Sequence, residues 1–158
     1  MKTTANIYKT AREMTTFTQE SAAEQLHISV ESVRAYETDK RRPADDIVAL
    51  MVNIYDNKFL GYQHLMSSPL NSILPEVELC SIQQSSMKLL RLLRHFAKDE
   101  RVEQLLEIAE DGIIDDFEMP VYMDIMDELG DIVQTVLSLD FGIKKRPIAG
   151  EHNRTAYK

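Results

Sequence analysis

FTQESAAEQLHISVESVRAYETDKRRP, Phe17 to Pro43, is the stretch whose reading decides the fold. Thr18 and Ser29 each stand ahead of a short apolar-periodic run. A hydroxyl in that place accepts a hydrogen bond from the first free N–H groups of a helix. Ala22 and Ala23 are small enough to let two short helices cross closely, while Leu26, Ile28 and Val33 supply apolar contacts around the turn between them. Pro43 cannot continue a helix but starts one well, so a break falls after Arg42. The residues predict two mutually bracing helices, the second capped by Ser29 with the positive end of its dipole turned outward.

Outward from that pair the periodicity is helical, with no Val/Ile/Thr-rich alternating run long enough for a convincing strand. Helices are predicted near Thr4 to Met14, Thr18 to Leu26, Val30 to Thr38, Ala44 to Tyr55 and Lys58 to Met66. SSPLNSILP, Ser67 to Pro75, has the proline and serine content of a linker. Beyond it, a long helix is predicted over Glu76 to Ala97, with an apolar stripe of Leu89, Leu90, Leu93, Phe96 and Ala97. A second stripe follows at Val102, Leu105, Leu106 and Ala109. Pro120 opens a third helix whose Ile125, Leu129, Ile132, Val133, Val136 and Leu137 form one broad face. Any stripe wider than such a bundle can cover is expected to pair with a second subunit. The domains are therefore 1–66, a linker at 67–75, a helical dimerisation or partner domain at 76–141 and a flexible tail at 142–158.

Composition narrows the function class. The chain has 158 residues, 44% hydrophobic and 28% charged, with a net charge of −8. That balance is typical of a globular protein and argues against one that coats nucleic acid nonspecifically. The acid is uneven: residues 1–66 sum to −1 and residues 67–158 to −7. The first part, with Lys40, Arg41 and Arg42 gathered together, can still engage phosphate with one face. No run approaches about 18 consecutive apolar residues and the first residues carry no secretion signal, so no membrane association and a cytoplasmic location are expected. Cys80 is the single cysteine; it is read as a plain buried thiol in a reducing compartment.

Chemistry beyond binding is not expected. His27, His64, His95 and His152 have no ligand-type partner at helical spacing, the five glycines form no phosphate-cradling loop, and no Ser/His/Asp set is evident. We therefore expect no enzyme, no catalytic residue, no cofactor and no metal. DGIIDDFE, Asp111 to Glu118, looks like the latter half of a calcium loop, but Ala109 offers no oxygen where the first half needs one. It reads instead as a Gly112 helix stop and an acidic turn before the next helix. The eight methionines, Met119, Met123 and Met126 among them, are read first as core filling and second as an adaptable partner surface.

Thr18, Gln19, Ala23, Leu26, Ile28, Ser29, Val33, Glu37, Arg42 and Pro43 resemble, in register, the pattern of the lambda-repressor-like, or XRE, family of helix-turn-helix regulators. The resemblance is unbroken from Thr18 to Asp39 and looser from Ile7 to Leu65. It implies an all-α fold: a five-helix repressor-like DNA-binding domain, here followed by a small helical carboxy-terminal domain. Two positions depart from the family. Where it has glycine in the turn and after the second helix, this chain has His27 and Asp39, among the non-glycine residues that reach a left-handed backbone most often.

The resemblance further implies that the helix after Ser29 lies in the major groove. Val30, Glu31, Ser32, Arg34 and Ala35 then become base-reading candidates: Glu31 toward a cytosine amino group, Val30 and Ala35 toward thymine methyls, Arg34 toward guanine or a phosphate. Gln19 is placed against the DNA backbone, with Lys40, Arg41 and Arg42 adding phosphate contacts. Arg12 and Glu37 match a structural ion pair of the family. The expected function is a sequence-specific regulator, a repressor, binding double-stranded DNA as a homodimer through its carboxy-terminal helices. The alternative is an antitoxin-like or phage-accessory protein-interaction module of the same fold.

Overall fold

A computed structural model of the chain describes residues 6–69, 71–98 and 100–142. The expected tail lies outside the described residues, apart from Gly142, which ends the last helix. Two compact units divide at Pro75 and Glu76. Among the described residues the structure is helical, without strands.

The first unit holds five α-helices: α1 (Ile7–Glu13), α2 (Gln19–Gln25), α3 (Val30–Glu37), α4 (Asp45–Ile54) and α5 (Lys58–Met66). Thr18 and Ser29 cap α2 and α3, and Thr18 forms a reciprocal capping box with Ser21. The first helix is shorter than expected because Asn6 caps it, its side chain accepting from Lys9 N. Ala44 precedes α4 without a side-chain cap, and Asp45 and Asp46 in its first turn favour the helix dipole instead.

Three helices end in one manner. His27, Asp39 and Asp56 have φ of 55°, 56° and 46°. In each case the N–H of the following residue reaches back to a carbonyl five residues earlier: Ile28 to Ala23, Lys40 to Ala35 and Asn57 to Val52. This is the Schellman arrangement, built here on left-handed residues that are not glycine. The turn expected at His27 and Asp39 therefore has the handedness that its glycine-bearing counterparts need.

The core of this unit gathers Tyr8 and Ala11 of α1, Ala22 and Leu26 around the end of α2, Tyr36 of α3, Val48 and Met51 of α4, Tyr55, and Leu60 of α5. The segment 67–75 contains a short 3-10 helix, Asn71–Ile73, and the Tyr62 hydroxyl donates to the Pro75 carbonyl.

The second unit holds α6 (Ile82–Lys98), α7 (Arg101–Ile108) and α8 (Met119–Gly142). Three expectations change here. The long helix begins at Ile82, not Glu76, because Ser81 and Gln84 cap it reciprocally: Ser81 N donates to Gln84 Oε1 and Gln84 N to Ser81 Oγ. The inward face of α6 is Ser85, Leu89, Leu92 and Phe96, while Leu90 and Leu93 of the expected stripe are exposed. On α8, Ile125, Thr135 and Ser138 are buried and Val133 and Val136 are exposed. This rotation pairs buried polar groups: the Ser85 and Ser138 hydroxyls share a hydrogen bond of 3.2 Å, and Ser138 Oγ also donates to the Glu78 carbonyl.

Cys80 is exposed, not buried. Its backbone is what faces α8: its N–H donates to Ser138 Oγ, and its carbonyl oxygen lies 3.3 Å from where a Gly142 Cβ would stand. The methionines of α8 are also on the surface, Met123 at 52% exposure. The acidic turn before α8 is occupied with itself: Asp115 Oδ1 accepts from Phe117 N and Glu118 N, and Glu118 returns a carboxylate to Asp115 N. Gly112 sits at φ 75°. No helix among the described residues is long and apolar enough to cross a membrane.

Candidate nucleic-acid interface

The second helix of the motif presents one face outward. Val33, Tyr36 and Glu37 are buried against the unit, whereas Glu31 and Arg34 are exposed and Val30, Ser32 and Ala35 half-exposed. Ser29 Oγ accepts from Ser32 N at 3.1 Å, so the first turn of α3 is held in place with its dipole pointing to solvent. All five base-reading candidates thus have some surface, Glu31 and Arg34 the most.

Behind that face lies a polar relay. Arg12 Nε donates to Glu37 Oε1 at 2.6 Å and Arg12 Nη2 to Glu37 Oε2 at 3.0 Å, a two-pronged pair joining α1 to α3. Arg12 also donates to the Phe17 carbonyl. Burial pushes the Glu37 carboxyl up, but the hydrogen bonds from Arg12 and Gln19 and the Arg12 charge outweigh it, and its pKa falls below the ordinary value. The neighbouring Tyr55 hydroxyl is pushed up to about 12, by burial and then by the Glu37 charge.

Gln19 connects this buried pair to the surface. Its Nε2 donates to Glu37 Oε2 at 2.8 Å while its Oε1 accepts from Arg34 Nε at 3.3 Å. Arg34 in turn donates to Glu31 Oε1 at 2.8 Å and lies 3.7 Å from Glu20. The Arg34 side chain is thereby held across the amino end of α2, beside Glu31, instead of sweeping free. Sequence reasoning missed Glu20; its signal is its place in the first turn of a capped helix that crosses α3.

The basic segment after α3 is used unevenly. Lys40 and Arg41 are exposed, and Arg41 stacks its guanidinium 5.0 Å over the Tyr36 ring. Arg42 is exposed at its surface, yet its guanidinium donates to the His64 and Ser67 carbonyls, both at 3.0 Å, closing the end of α5. His64 is buried, its Nδ1 2.8 Å from the Tyr8 hydroxyl and its Nε2 2.9 Å from Asp45 Oδ1. Asn6 adds a clasp on the other side, donating to Tyr36 O and Asp39 Oδ1. Sequence reasoning weighs His64 only as a metal ligand and does not single out Asn6, because the partners that place them are 19 and 56 residues away for His64 and 30 and 33 for Asn6.

A capped helix, a left-handed turn, a second capped helix with an exposed face and a basic exit together define the unit, and a helix-turn-helix family model matches residues 9–60. This unit is a lambda-repressor-like helix-turn-helix domain of the XRE family. That family is one of DNA-binding transcription regulators, and the chain carries its domain. Residues 61–158 lie outside the match. No curated protein and no solved structure matches the chain significantly.

Proposed function

We propose that the protein is a sequence-specific transcriptional repressor that binds duplex DNA as a homodimer, the helix-turn-helix domain on the DNA and the carboxy-terminal helices joining the copies. The observation that carries this reading is the outer face of α3, ordered by the Ser29 cap and left open from Val30 to Ala35. In the major groove, Val30 and Ala35 contact thymine methyls, Ser32 donates or accepts at a base edge, Glu31 accepts from a cytosine amino group, and Arg34 donates to guanine or to a phosphate. Because Arg34 is tied to Glu31 in the free protein, a base pair that satisfies both at once is preferred over one that separates them.

Gln19, Lys40, Arg41 and Arg42 fix register on the phosphates. Arg42 contributes chiefly by holding the loop, since its strongest donors already serve α5. Two copies present two reading helices about 34 Å apart, one turn of duplex, which favours two-fold sites. Occupancy of such a site excludes other proteins from the same groove, the simplest form of repression, and the setting is the cytoplasm.

The test is selection of bound fragments from random duplexes, followed by binding measured over a salt series. A two-fold consensus and affinity that falls steeply with salt are expected. Binding without sequence preference, or none at low salt, would refute the proposal. Arg34→Ala should relax preference at one base position or weaken binding uniformly, which distinguishes a base contact from a phosphate contact.

A further inference from the structure

The second unit is acidic as a whole, yet one side of α6 is basic. Lys88, Arg91 and Arg94 recur at every third residue, so they adjoin along the helix and span about 9 Å at its rise of about 1.5 Å per residue. All three are exposed. Arg101 of the same unit meets Glu128 at 2.8 Å, whereas Lys88, Arg91 and Arg94 have no carboxylate within ion-pair distance among the described residues. The three cations form one wall of a groove of about 1480 Å³, floored by buried Ser85, Thr135 and Ser138.

The facing wall is chain outside any helix, from Glu76 to Cys80. It is moored to α8 by the Ser138 hydroxyl, which donates to the Glu78 carbonyl and accepts from Cys80 N–H. The backbone N–H and C=O groups of Val77 and Leu79 have no protein partner among the described residues. A largely exposed segment with unpaired backbone is a template on which another extended chain can pair.

We infer that this groove binds an acidic peptide segment of a partner protein, laid in extended form along Glu76 to Cys80 with its carboxylates on Lys88, Arg91 and Arg94. Size, charge and the facing wall select that occupant. The groove is larger than the roughly 300–1,000 Å³ of small-ligand sites. Its unpaired cations complement carboxylates, which guanidinium groups hold by parallel hydrogen bonds. Glu76 and Glu78 line the same groove and repel a chain that is anionic at every step, as nucleic acid is. A peptide turns alternate side chains to opposite sides, so it can carry acid toward α6 and neutral residues beside the two glutamates. Met87 and Leu90, 70% and 52% exposed on the same wall as the cations, add apolar contact.

The test is fluorescence anisotropy of the full chain with a labelled peptide of alternating Glu and Thr. Three further probes are the same peptide with Gln for every Glu, the same peptide N-methylated at alternate backbone nitrogens, and a duplex DNA. Saturable binding of the acidic peptide is expected. It should weaken at least about tenfold with the Gln probe, with the N-methylated probe and in Arg91→Glu, and less than about twofold in Lys40→Glu, the same charge reversal in the first unit. Thermal unfolding of both variants should be unchanged, because both positions are exposed. No saturable binding, equal binding of the Gln probe, or equal losses in the two variants overturns the proposal. Full binding of the N-methylated probe overturns the pairing along Glu76 to Cys80. Loss of duplex binding in Arg91→Glu without loss of peptide would make nucleic acid the occupant, and loss of self-association alone a second copy; either result overturns the proposal.

Discussion

The two units bury apolar surface in different ways. In the first, aromatic and aliphatic side chains from all five helices meet in one cluster, with Leu26, Met51 and Leu60 almost wholly enclosed. In the second, Ile108 and Ile125 are the buried apolar residues among those described, the α6 and α8 contact runs through Ser85 and Ser138, and Met87, Leu90, Leu106 and Phe117 face solvent. A closed core can stand alone, while a surface this apolar is a binding surface. The first unit therefore holds its outward helix still, as the proposed DNA contact needs, and the second leaves exposed the apolar surface on which the proposed dimer would form.

The largest effect that would sharpen this contrast is a pair of truncations. Leu60→Ala, at 0% exposure, should cost about 3 kcal/mol, whereas Leu106→Ala, at 67% exposure, should change monomer stability by less than about 0.5 kcal/mol. Denaturant titration of both variants checks it, and equal losses would break the contrast. Next comes Arg12→Ala, which leaves a buried carboxylate unpaired and should cost on the order of 3 kcal/mol. The melting temperature and DNA affinity should fall together; normal stability would show the pair to be dispensable.

The Glu37 carboxyl then gives the first unit a pH signature. Its native pKa lies below the ordinary 4.5. The stabilisation is thus fully present above that ordinary value and disappears as pH falls from it through the lowered native one. Denaturant titrations at decreasing pH should show a steeper acid loss for the wild type than for Glu37→Gln, and parallel curves would contradict the assignment.

Caps provide a finer comparison. Ser29→Ala and Ser81→Ala each remove a helix cap and should each cost about 1 kcal/mol. Binding assays should show lost DNA affinity for the first beyond its effect on folding, and none for the second. Smallest is His27→Gly, which relieves a left-handed non-glycine residue at the expense of unfolded-chain freedom; a net change within about 0.5 kcal/mol is expected in thermal melts.

The sequence by itself determined what depends on neighbours a few residues apart. The caps at Thr18 and Ser29, the left-handed exits at His27 and Asp39, the break at Pro43 and the face of α3 all follow from local hydrogen bonding and steric limits, which act over a turn or two. The Ser81 and Gln84 box was equally local and shortens α6, but the apolar stripe beside it invited a longer helix. What only the tertiary structure decided is where helices are rotated and which long-range partners meet. Gln19 joining Glu37 to Arg34, Arg42 closing α5 over His64, and the Ser85 and Ser138 contact that accompanies outward Leu90 and Val133 each link residues at least 15 positions apart. Periodicity identifies an apolar side of a helix, but a buried hydrogen bond between two small hydroxyls can compete with it for which side goes in, because leaving such a group unpaired costs about 1–3 kcal/mol, as much as exposing a leucine.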